Sequence, residues 1–185
     1  MIFLSCAEQQ IIDFCFQEVG TQKFFEKDKA FDELLTQRFK TTLERAARAE
    51  LFAWRQHPEG RLAEIIVLDQ FSRNIYRDTA KAFAQDKMAL VLAQEAVAAG
   101  VLQQLDSVEA RQLLLMPYMH SESKLIHEQA EQLFKQYTNE EVYGFEIRHK
   151  VIIDRFGRYP HRNEILGRQS TAEELEFLTQ PNSSF

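Results

Sequence analysis

The stretch DKMALVLAQEAVAAG, residues 86–100, is typical of an α-helix. Residues 86–99 are almost all strong helix formers, and Gly100 stands where a helix ends in the left-handed conformation. The same composition extends along the chain, which has 19 Leu, 18 Ala, 20 Glu and 17 Gln in 185 residues but only 6 Gly and 4 Pro. Sheets favour Ile and Val, which together number only 19. The sequence therefore predicts an all-α fold.

Further helices are predicted on both sides of this one, each between a capping residue and a breaker. Asp28, Ser107 and Asn139 are residue types that cap helix N-termini, and His57-Pro58-Glu59-Gly60 interrupts the helical pattern. Ser170-Thr171-Ala172-Glu173 is interpreted as a capping box before a last short helix. About eight or nine helices are expected, over residues 7–16, 28–38, 41–56, 61–76, 86–99, 108–116, 123–137, 139–156 and 172–178.

Two architectures fit a row of helices joined by short turns: a solenoid of stacked helix pairs and a closed bundle. No clean repeat of about 33 to 47 residues is present, and the tetratricopeptide motif W-x-x-L-G-x-x-Y is absent. The residues alone leave this choice open, and any solenoid must be a degenerate one. The length fits a single domain, residues 1–185, with a frayed tail after about residue 180.

The charge balance argues against several classes of partner. With 22 basic and 28 acidic residues the net charge is −6, so bulk charge does not favour nucleic acid. The longest apolar runs, 65–68 and 88–93, are far shorter than the roughly 20 residues that span a bilayer, and no basic residue of a secretory signal precedes Lys23. Cys6 and Cys15 lack a metal-binding spacing and are expected to be small buried hydrophobes. We expect a cytoplasmic protein with no membrane segment, no metal and no cofactor.

The stretch LDQFSRNIYR, residues 68–77, places charged side chains at the end of an apolar helical row. Asp69 and Arg73 are about one helical turn apart, acid before base, which is the favourable order for an ion pair. Because the adjoining row is apolar and must face the core, we expect this pair at the edge of the core. The alternatives are a salt bridge between helices that fixes their packing and a functional group of side chains.

The stretch MPYMHSES, residues 116–123, places His120 in a turn between two predicted helices. Pro117 is expected to disturb the end of the first of them. A histidine in such a turn can reach neighbouring helix ends or a cleft, although a lone histidine is more often structural or exposed. There is no H-E-x-x-H zinc motif, because His127-Glu128 lacks the second histidine.

The stretch HKVIIDRFGRYPHRNEILGR, residues 149–168, is the most informative. It begins with His149, which interrupts an apolar helical face, and Gly157 and Tyr159-Pro160 then end the helix and turn the chain. Four arginines and no lysine lie between residues 151 and 168, and arginine without lysine favours bidentate recognition of an anion over general solubility. The alternative is that each guanidinium caps a carboxylate or a helix carbonyl group elsewhere in the fold.

These three stretches, together with KAFAQDKMAL at residues 81–90, resemble in their order the signature blocks of the bacterial domain-of-unknown-function family 924. The resemblance extends from about residue 11 to residue 178. It implies a tetratricopeptide-like all-helical fold, a right-handed superhelix of stacked helical hairpins, and it implies no established activity. The signature positions are Asp69, Gln70, Arg73, Asn74, Tyr76, Arg77, His120, Ser121, Arg155, Phe156, Gly157, Arg158, Pro160, His161, Arg162 and Asn163.

Two functional classes stay open. The first is a binding domain whose arginine- and histidine-lined pocket takes an acidic peptide or a small anionic molecule. The second is a small-molecule enzyme that uses His/Asp acid–base chemistry in the same pocket, although the sequence has no nucleophile motif, phosphate-binding loop or metal set and no catalytic residue is assigned. We expect the turn at residues 157–160 to bring His161, Arg162 and Asn163 against Arg73 and Arg77, with His120 or His149 at the wall. The predicted ligand-binding residues are Asp69, Gln70, Arg73, Asn74, Arg77, His120, His149, Arg155, Arg158, His161, Arg162 and Asn163.

Overall fold

The computed structural model describes residues 6–184, which are helical and contain no strand. The α-helices, numbered α1 to α9 along the chain, are Cys6–Asp13, Lys29–Ala47, Pro58–Ile66, Ser72–Ile75, Asp86–Ala98, Val108–Met119, Lys124–Tyr137, Glu140–Phe156 and Ala172–Leu178. Two π-helical segments continue the helical path. Phe14–Glu18 follows α1, and Val67–Phe71 joins α3 to α4. Short 3-10 helices lie at Thr21–Phe25, Phe52–Gln56, Ala80–Phe83, Val101–Gln103 and Pro160–Arg162. The predicted all-α fold is confirmed.

The predicted caps at three helix N-termini are present as hydrogen bonds. The side chains of Asp28, Ser107 and Asn139 accept hydrogen bonds from backbone N–H groups in the first turns of α2, α6 and α8. At the other end, Gly100 and Gly157 follow α5 and α8 with φ angles of 72° and 70°, in the left-handed region that glycine adopts without steric strain. Local residue chemistry therefore fixes where these helices begin and end.

The capping box of the last helix lies one residue later than predicted. Thr171 precedes α9; its hydroxyl accepts from the N–H of Glu174, and the Glu174 carboxylate accepts from the N–H of Thr171. Ser170, the predicted cap, accepts a hydrogen bond from the side chain of Asn163. The frayed tail stays a prediction, although Ser183 is buried and donates a hydrogen bond to the last carbonyl group of α9.

Three helix boundaries also differ from the prediction. Residues 29–47 form one helix instead of two, and α2 ends shortly before Ala49, which has a positive φ of 57°. Pro58 is the first residue of α3. Proline is tolerated there because the N–H groups of the first turn have no partner within the helix, so the missing N–H costs no hydrogen bond. Pro117 lies inside α6, which continues to Met119, so the loss of one hydrogen bond near its last turn does not end the helix.

Helix α3 lies at the centre of the fold. It contacts α1, α5 and α6, and the π-helical segment Val67–Phe71 that follows it contacts α2 and α5. Helices α5, α6, α7 and α8 contact one another in chain order. The contacts in chain order fit a stack of helix pairs, whereas the central position of α3 fits a closed bundle. The tetratricopeptide-like superhelix therefore stays a prediction.

Buried aromatic rings fix the position of the π-helical segment that carries Asp69. The ring centroid of Phe14 lies 4.9 Å from that of Phe39 and 6.3 Å from that of Phe71, and Phe39 and Phe71 lie 5.1 Å apart. Aromatic pairs at this spacing add about 0.5–1.5 kcal/mol each beyond the area they bury. Because Phe71 is the last residue of the segment, this packing holds Asp69 inside the core.

Two further features bear on the sequence predictions. Cys15 is a free, buried thiol, as expected of a small hydrophobe, and the side chain of Cys6 lies outside the described residues. Burial raises the pKa of the Cys15 thiol far above its ordinary value, so this thiol is protonated. Within residues 6–184 no helix is both long and apolar enough to cross a membrane.

Trp54 is buried, as its predicted place in an apolar row requires, but it does not lie on a helix over residues 41–56. It belongs to the 3-10 helix Phe52–Gln56, where 6% of its surface is exposed against 68% for Phe52. The first turn of α3 passes so close that a Cβ atom at Gly60 would overlap the carbonyl oxygen of Trp54. The tight turn thus directs Trp54 into the core and Phe52 into solvent.

We expect Trp54→Ala to lower the free energy of unfolding by about 3–5 kcal/mol, the usual result of deleting a buried aromatic side chain. Phe52→Ala is the matched control, because it removes an exposed ring from the same turn and should change stability by no more than about 0.5 kcal/mol. Urea denaturation followed by circular dichroism measures both. A loss below about 1 kcal/mol for Trp54→Ala would contradict the packing described here.

Candidate functional site

Several helix ends meet at one buried group of polar side chains. The segment Val67–Phe71 and α4 supply an aspartate and an arginine, and the first turn of α5 supplies a second aspartate. A histidine follows the end of α6, and the turn after α8 adds a tyrosine and a second arginine. We call this group the arginine–histidine cluster; its members are Asp69, Arg73, Asp86, His120, Tyr159 and Arg162.

Asp69 is the innermost member of the cluster and is fully buried. Its carboxylate accepts hydrogen bonds from Gln70 Nε2 at 2.6 Å, Arg73 Nη1 at 3.0 Å and His120 Nδ1 at 2.8 Å. Burial alone would raise the pKa of Asp69, but the charge of Arg73 and the contact with His120 outweigh it and lower the pKa to about 2. The prediction that Asp69 pairs with an arginine and stays ionised is confirmed, although it lies deeper than the expected edge of the core.

Asp86 connects the two arginines of the cluster. Its carboxylate accepts two hydrogen bonds from Arg73, at 2.9 and 3.1 Å, and one from Arg162 Nη1 at 3.3 Å. Arg73 Nη1 also donates to the backbone carbonyl of Asp69 at 2.9 Å. Burial alone would lower the pKa of Arg73, but the charges of Asp69 and Asp86 raise it. Arg73 is therefore a fully compensated cation.

The positive charge of Arg162 is compensated far less than that of Arg73. Its guanidinium lies between two aromatic rings, 4.7 Å from the centroid of Phe83 and 4.6 Å from that of Tyr159, and 6% of the residue is exposed. Its Nε is buried and has no hydrogen-bond partner among the described residues. Burial and the nearby charge of Arg73 lower the pKa of Arg162, opposite to the direction for Arg73. Arg162 thus has donor capacity that the fold does not use.

His120 has one ring nitrogen engaged and one available. The ionised Asp69 carboxylate accepts from Nδ1, so Nδ1 carries the proton and Nε2 carries a lone pair. Nε2 makes no hydrogen bond to any other described residue. Burial, and then the charge of Arg73, lower the pKa of His120 against the attraction of Asp69, so the imidazole is neutral at pH 7.

A second histidine–carboxylate pair lies behind the cluster. His127 Nδ1 is 2.7 Å from Glu146 Oε1, both residues are fully buried, and His127 Nε2 donates to the carbonyl group of Ser121 at 2.9 Å. The Tyr159 hydroxyl lies 3.2 Å from His127 Nε2 and donates to the carbonyl of Met119 at 2.5 Å. This pair thereby holds Tyr159 and the turn before α7 together.

Asp86, Tyr159 and Glu146 were not predicted as site residues, and His127 was not predicted because no zinc motif accompanies it. Asp86 is the first residue of a strongly predicted helix, and the helix dipole alone explains an acidic residue at that position. One feature could have predicted a role for His127. It lies on one face of α7 with the buried Ala130 and Phe134, so it is a polar residue on an otherwise apolar face.

The predicted ligand-binding residues do not all meet. Arg77 is not part of the cluster, because Asp32 on α2 accepts two hydrogen bonds from it at 2.6 and 2.9 Å. Asn74 also donates to Asp32. The expectation that Arg77 joins Arg73 and Arg162 is therefore wrong: the sequence could not show that a carboxylate from another helix takes it.

Other predicted residues surround the cluster without belonging to it. His149 and His161 have ring centroids 5.8 and 5.6 Å from that of Tyr159, and His149 Nδ1 donates to the carbonyl group of Phe145. Burial lowers the pKa of His149 to about 3 and that of His161 to about 4, so both are neutral at pH 7. Three predicted residues contact α9 or the chain just before it, and they are Arg155, Arg158 and Asn163.

The surface near the cluster determines how a ligand could approach. Two clefts, of about 260 and 350 Å³, lie elsewhere on the described chain and are lined by no member of the cluster. Arg73 and Asp86 have side chains that are 18% and 19% exposed, against 7% for Arg162. Arg73 and Asp86 are therefore nearer to solvent than Arg162. Among the described residues no group of three or more His, Cys, Asp or Glu side chains is arranged to hold a metal ion.

Comparison with known proteins supports the resemblance seen in the sequence. The chain matches the model of a family described as "Bacterial protein of unknown function (DUF924)" over residues 11–182. It is similar to the solved structure of a protein of unknown function from Agrobacterium tumefaciens, with 36% identity, coverage of 95% of this chain and 98% of that chain, and a TM-score of 0.89. No curated protein matches the chain. The family and the all-helical fold are thus established, and neither match names a ligand.

We expect Asp69→Asn to lower the free energy of unfolding by about 3–5 kcal/mol at neutral pH, because it removes the negative partner of a buried ion pair. The folded-state pKa of Asp69, about 2, lies below its ordinary value of 3.8, so its stabilisation is present above about pH 4 and is lost as the pH falls toward 2. The wild-type protein should therefore lose stability across this interval more steeply than the variant. Urea denaturation at a series of pH values measures the difference.

Glu50→Gln serves as the control, since it removes a carboxylate from an exposed ion pair with Arg48 and should change stability by less than about 1 kcal/mol. Equal stability and equal acid dependence for the wild-type protein and Asp69→Asn would show that the charge of Asp69 does not contribute to the fold.

Proposed function

The chain belongs to the bacterial family DUF924, and we propose that in this member the arginine–histidine cluster binds a small anionic ligand through Arg162. The observation that carries the proposal is the incomplete pairing of this guanidinium. Arg162 is buried, makes one 3.3 Å contact to a carboxylate that it shares with Arg73, and keeps an unpartnered Nε. A buried N–H group without an acceptor is costly, and an added anion would supply the acceptor that this guanidinium lacks.

The geometry around Arg162 favours a planar, bidentate anion such as a carboxylate, or one face of a phosphate. The rings of Phe83 and Tyr159 lie on the guanidinium and restrict its plane, so a ligand approaches along the edge that carries the N–H donors. Asp86 already contacts one of these donors, which indicates that a carboxylate is the kind of group this edge accepts. A guanidinium held in one orientation before binding loses little side-chain entropy when the ligand arrives.

A small ligand is favoured over an acidic peptide. A peptide needs an extended groove along which several side chains are recognised. Two clefts of the described chain are lined by residues outside the cluster, and exposure of the cluster is mainly that of Arg73 and Asp86. This limited exposure favours a molecule with one or two acidic groups.

Arg162→Lys keeps the positive charge and removes the planar fork, so it should weaken the binding of malonate and inorganic phosphate by about tenfold or more. Arg158→Lys is the matched control, because Arg158 lies on the same segment but donates to both carboxylate oxygens of Glu174, at 2.6 and 2.8 Å. Isothermal titration calorimetry gives the affinities, and the rise in melting temperature with added anion gives an independent measure.

Two results would contradict the proposal. Equal weakening by Arg162→Lys and Arg158→Lys would assign the effect to a general loss of stability. Failure of both anions to bind the wild-type protein at millimolar concentration would leave Arg162 a structural residue.

A second candidate function, acid–base catalysis, is favoured by one specific contact. Asp69 orients His120 through the 2.8 Å hydrogen bond to Nδ1, and this arrangement leaves Nε2 as a base in a neutral imidazole. A ligand held by Arg162 would lie in the same cluster. The test is a screen of small carboxylates and phosphate monoesters for turnover that His120→Asn abolishes while anion binding persists.

A further inference from the structure

The charges of the arginine–histidine cluster cancel before any ligand binds. Arg73 and Arg162 contribute two positive charges, and Asp69 and Asp86 contribute two negative charges, all joined by contacts of 3.3 Å or less. Burial and the charge of Arg73 lower the pKa of His120, which favours its neutral form before a ligand binds. An anion that enters this buried group therefore leaves it with a net negative charge, and a buried net charge is costly.

Two routes can restore neutrality when an anion binds. In the first, Asp86 swings out toward solvent and the anion takes its place. In the second, Asp86 stays and a side chain of the cluster takes up a proton. Asp86 accepts two hydrogen bonds from Arg73 besides the one from Arg162, so the first route breaks three contacts. The second route breaks none.

His120 is the member of the cluster able to receive that proton. Asp69 is held ionised by three donors, and Asp86 is held by two guanidinium groups. The Tyr159 hydroxyl already donates its proton to the carbonyl group of Met119, and arginine is protonated throughout. His120 Nε2, in contrast, has a lone pair and makes no hydrogen bond to another described residue.

The groups around His120 decide how readily it takes up the proton. Asp69 and Asp86 favour its charged form, whereas burial and Arg73 oppose it. In the absence of a ligand the opposing effects prevail and lower the pKa of the imidazole. An anion beside Nε2 adds a third negative group and shifts this balance toward the charged form. The charged or titratable groups that face His120 from the elements around it are Asp69, Arg73, Asp86, His149, His161 and Arg162.

We propose that the cluster takes up its anion together with one proton, which is bound by Nε2 of His120 and donated from there in a hydrogen bond to the ligand. The inference rests on the proposed function, because it describes how the same site admits an anion. It also names the ligand class: a monoanion, such as a monocarboxylate or the monoanion of a phosphate monoester, whose charge one proton neutralises. A dianion such as sulfate needs the same proton and keeps one negative charge.

Sulfate is the probe for the proton, because its own charge does not change across the neutral range. Its association constant should rise as the pH falls from about 8 to about 6, by up to about tenfold per pH unit, the limit for uptake of one proton. The rise should flatten at low pH, where His120 is protonated without a ligand. Isothermal titration calorimetry in two buffers with different heats of ionisation should give a proton uptake per sulfate that is greatest within this range and falls toward zero at about pH 8.

His120→Asn is the test variant, because the asparagine amide can still donate to Asp69 and cannot take up a proton. It should bind sulfate with nearly the same affinity at all pH values and match the wild-type protein at about pH 8. His57→Asn is the control, since His57 lies before α3 and outside the cluster, and it should keep the wild-type pH dependence. If His120→Asn does not fold, the ring proton signals of His120 in the wild-type protein report its pKa by NMR, which sulfate should raise.

The outcomes separate the inference from the proposed function. Binding of sulfate with no pH dependence and no proton uptake overturns the inference and leaves the anion site standing. A pH dependence that persists in His120→Asn, or a His120 pKa that sulfate does not raise, places the proton elsewhere and also overturns it. Absence of sulfate binding at every pH refutes the anion site and the inference with it.

Discussion

Asp69 carries a charge at a position without solvent exposure, and the neighbouring side chains are arranged around that charge. A buried carboxylate without partners would take up a proton or destabilise the fold. Its own helix supplies Gln70 and Arg73, and the end of α6 supplies His120. Arg73 in turn binds Asp86. One buried negative charge thereby organises a row of alternating charges that extends from the core toward the surface and sets the positions of α4, α5 and the end of α6.

The arginines of the segment after α8 differ in how much of their hydrogen-bonding capacity the fold uses. Arg158 and Arg168 each donate to both oxygens of one carboxylate, Glu174 and Glu122 respectively. These ion pairs fix the segment against α9 and against the turn before α7. Arg162 lies between them in the sequence, and its side chain donates one hydrogen bond, of 3.3 Å, to a described residue. Because its neighbours already fix the backbone, Arg162 is not required to hold the segment in place, and its donors are available for another purpose.

The sequence predicted an ion pair between side chains of one helical stretch, but it did not predict ion pairs between side chains of different helices. The spacing of Asp69 and Arg73 predicted their ion pair, because four residues along a helix bring side chains together. The same reasoning failed for Arg77, whose partner Asp32 is 45 residues away and is recognisable only after α2 packs against α4. Asp86 was missed for the same reason, since its role depends on contacts that tertiary packing creates. Residue types therefore indicated that such a cluster is present, but not which residues belong to it.

Tyr159 connects the two sides of the candidate site. Its hydroxyl donates to the carbonyl group of Met119, the residue before His120, and its backbone N–H donates to Glu122, two residues after it. The turn after α8 is therefore fixed to the same short stretch of chain that carries His120. The ring of Tyr159 also lies 4.6 Å from the guanidinium of Arg162. One residue thus contacts both the guanidinium of Arg162 and the short stretch of chain that carries His120. A small ligand can be bound by two such groups without rearrangement only if they are held in place before it arrives, and the contacts of Tyr159 meet that requirement.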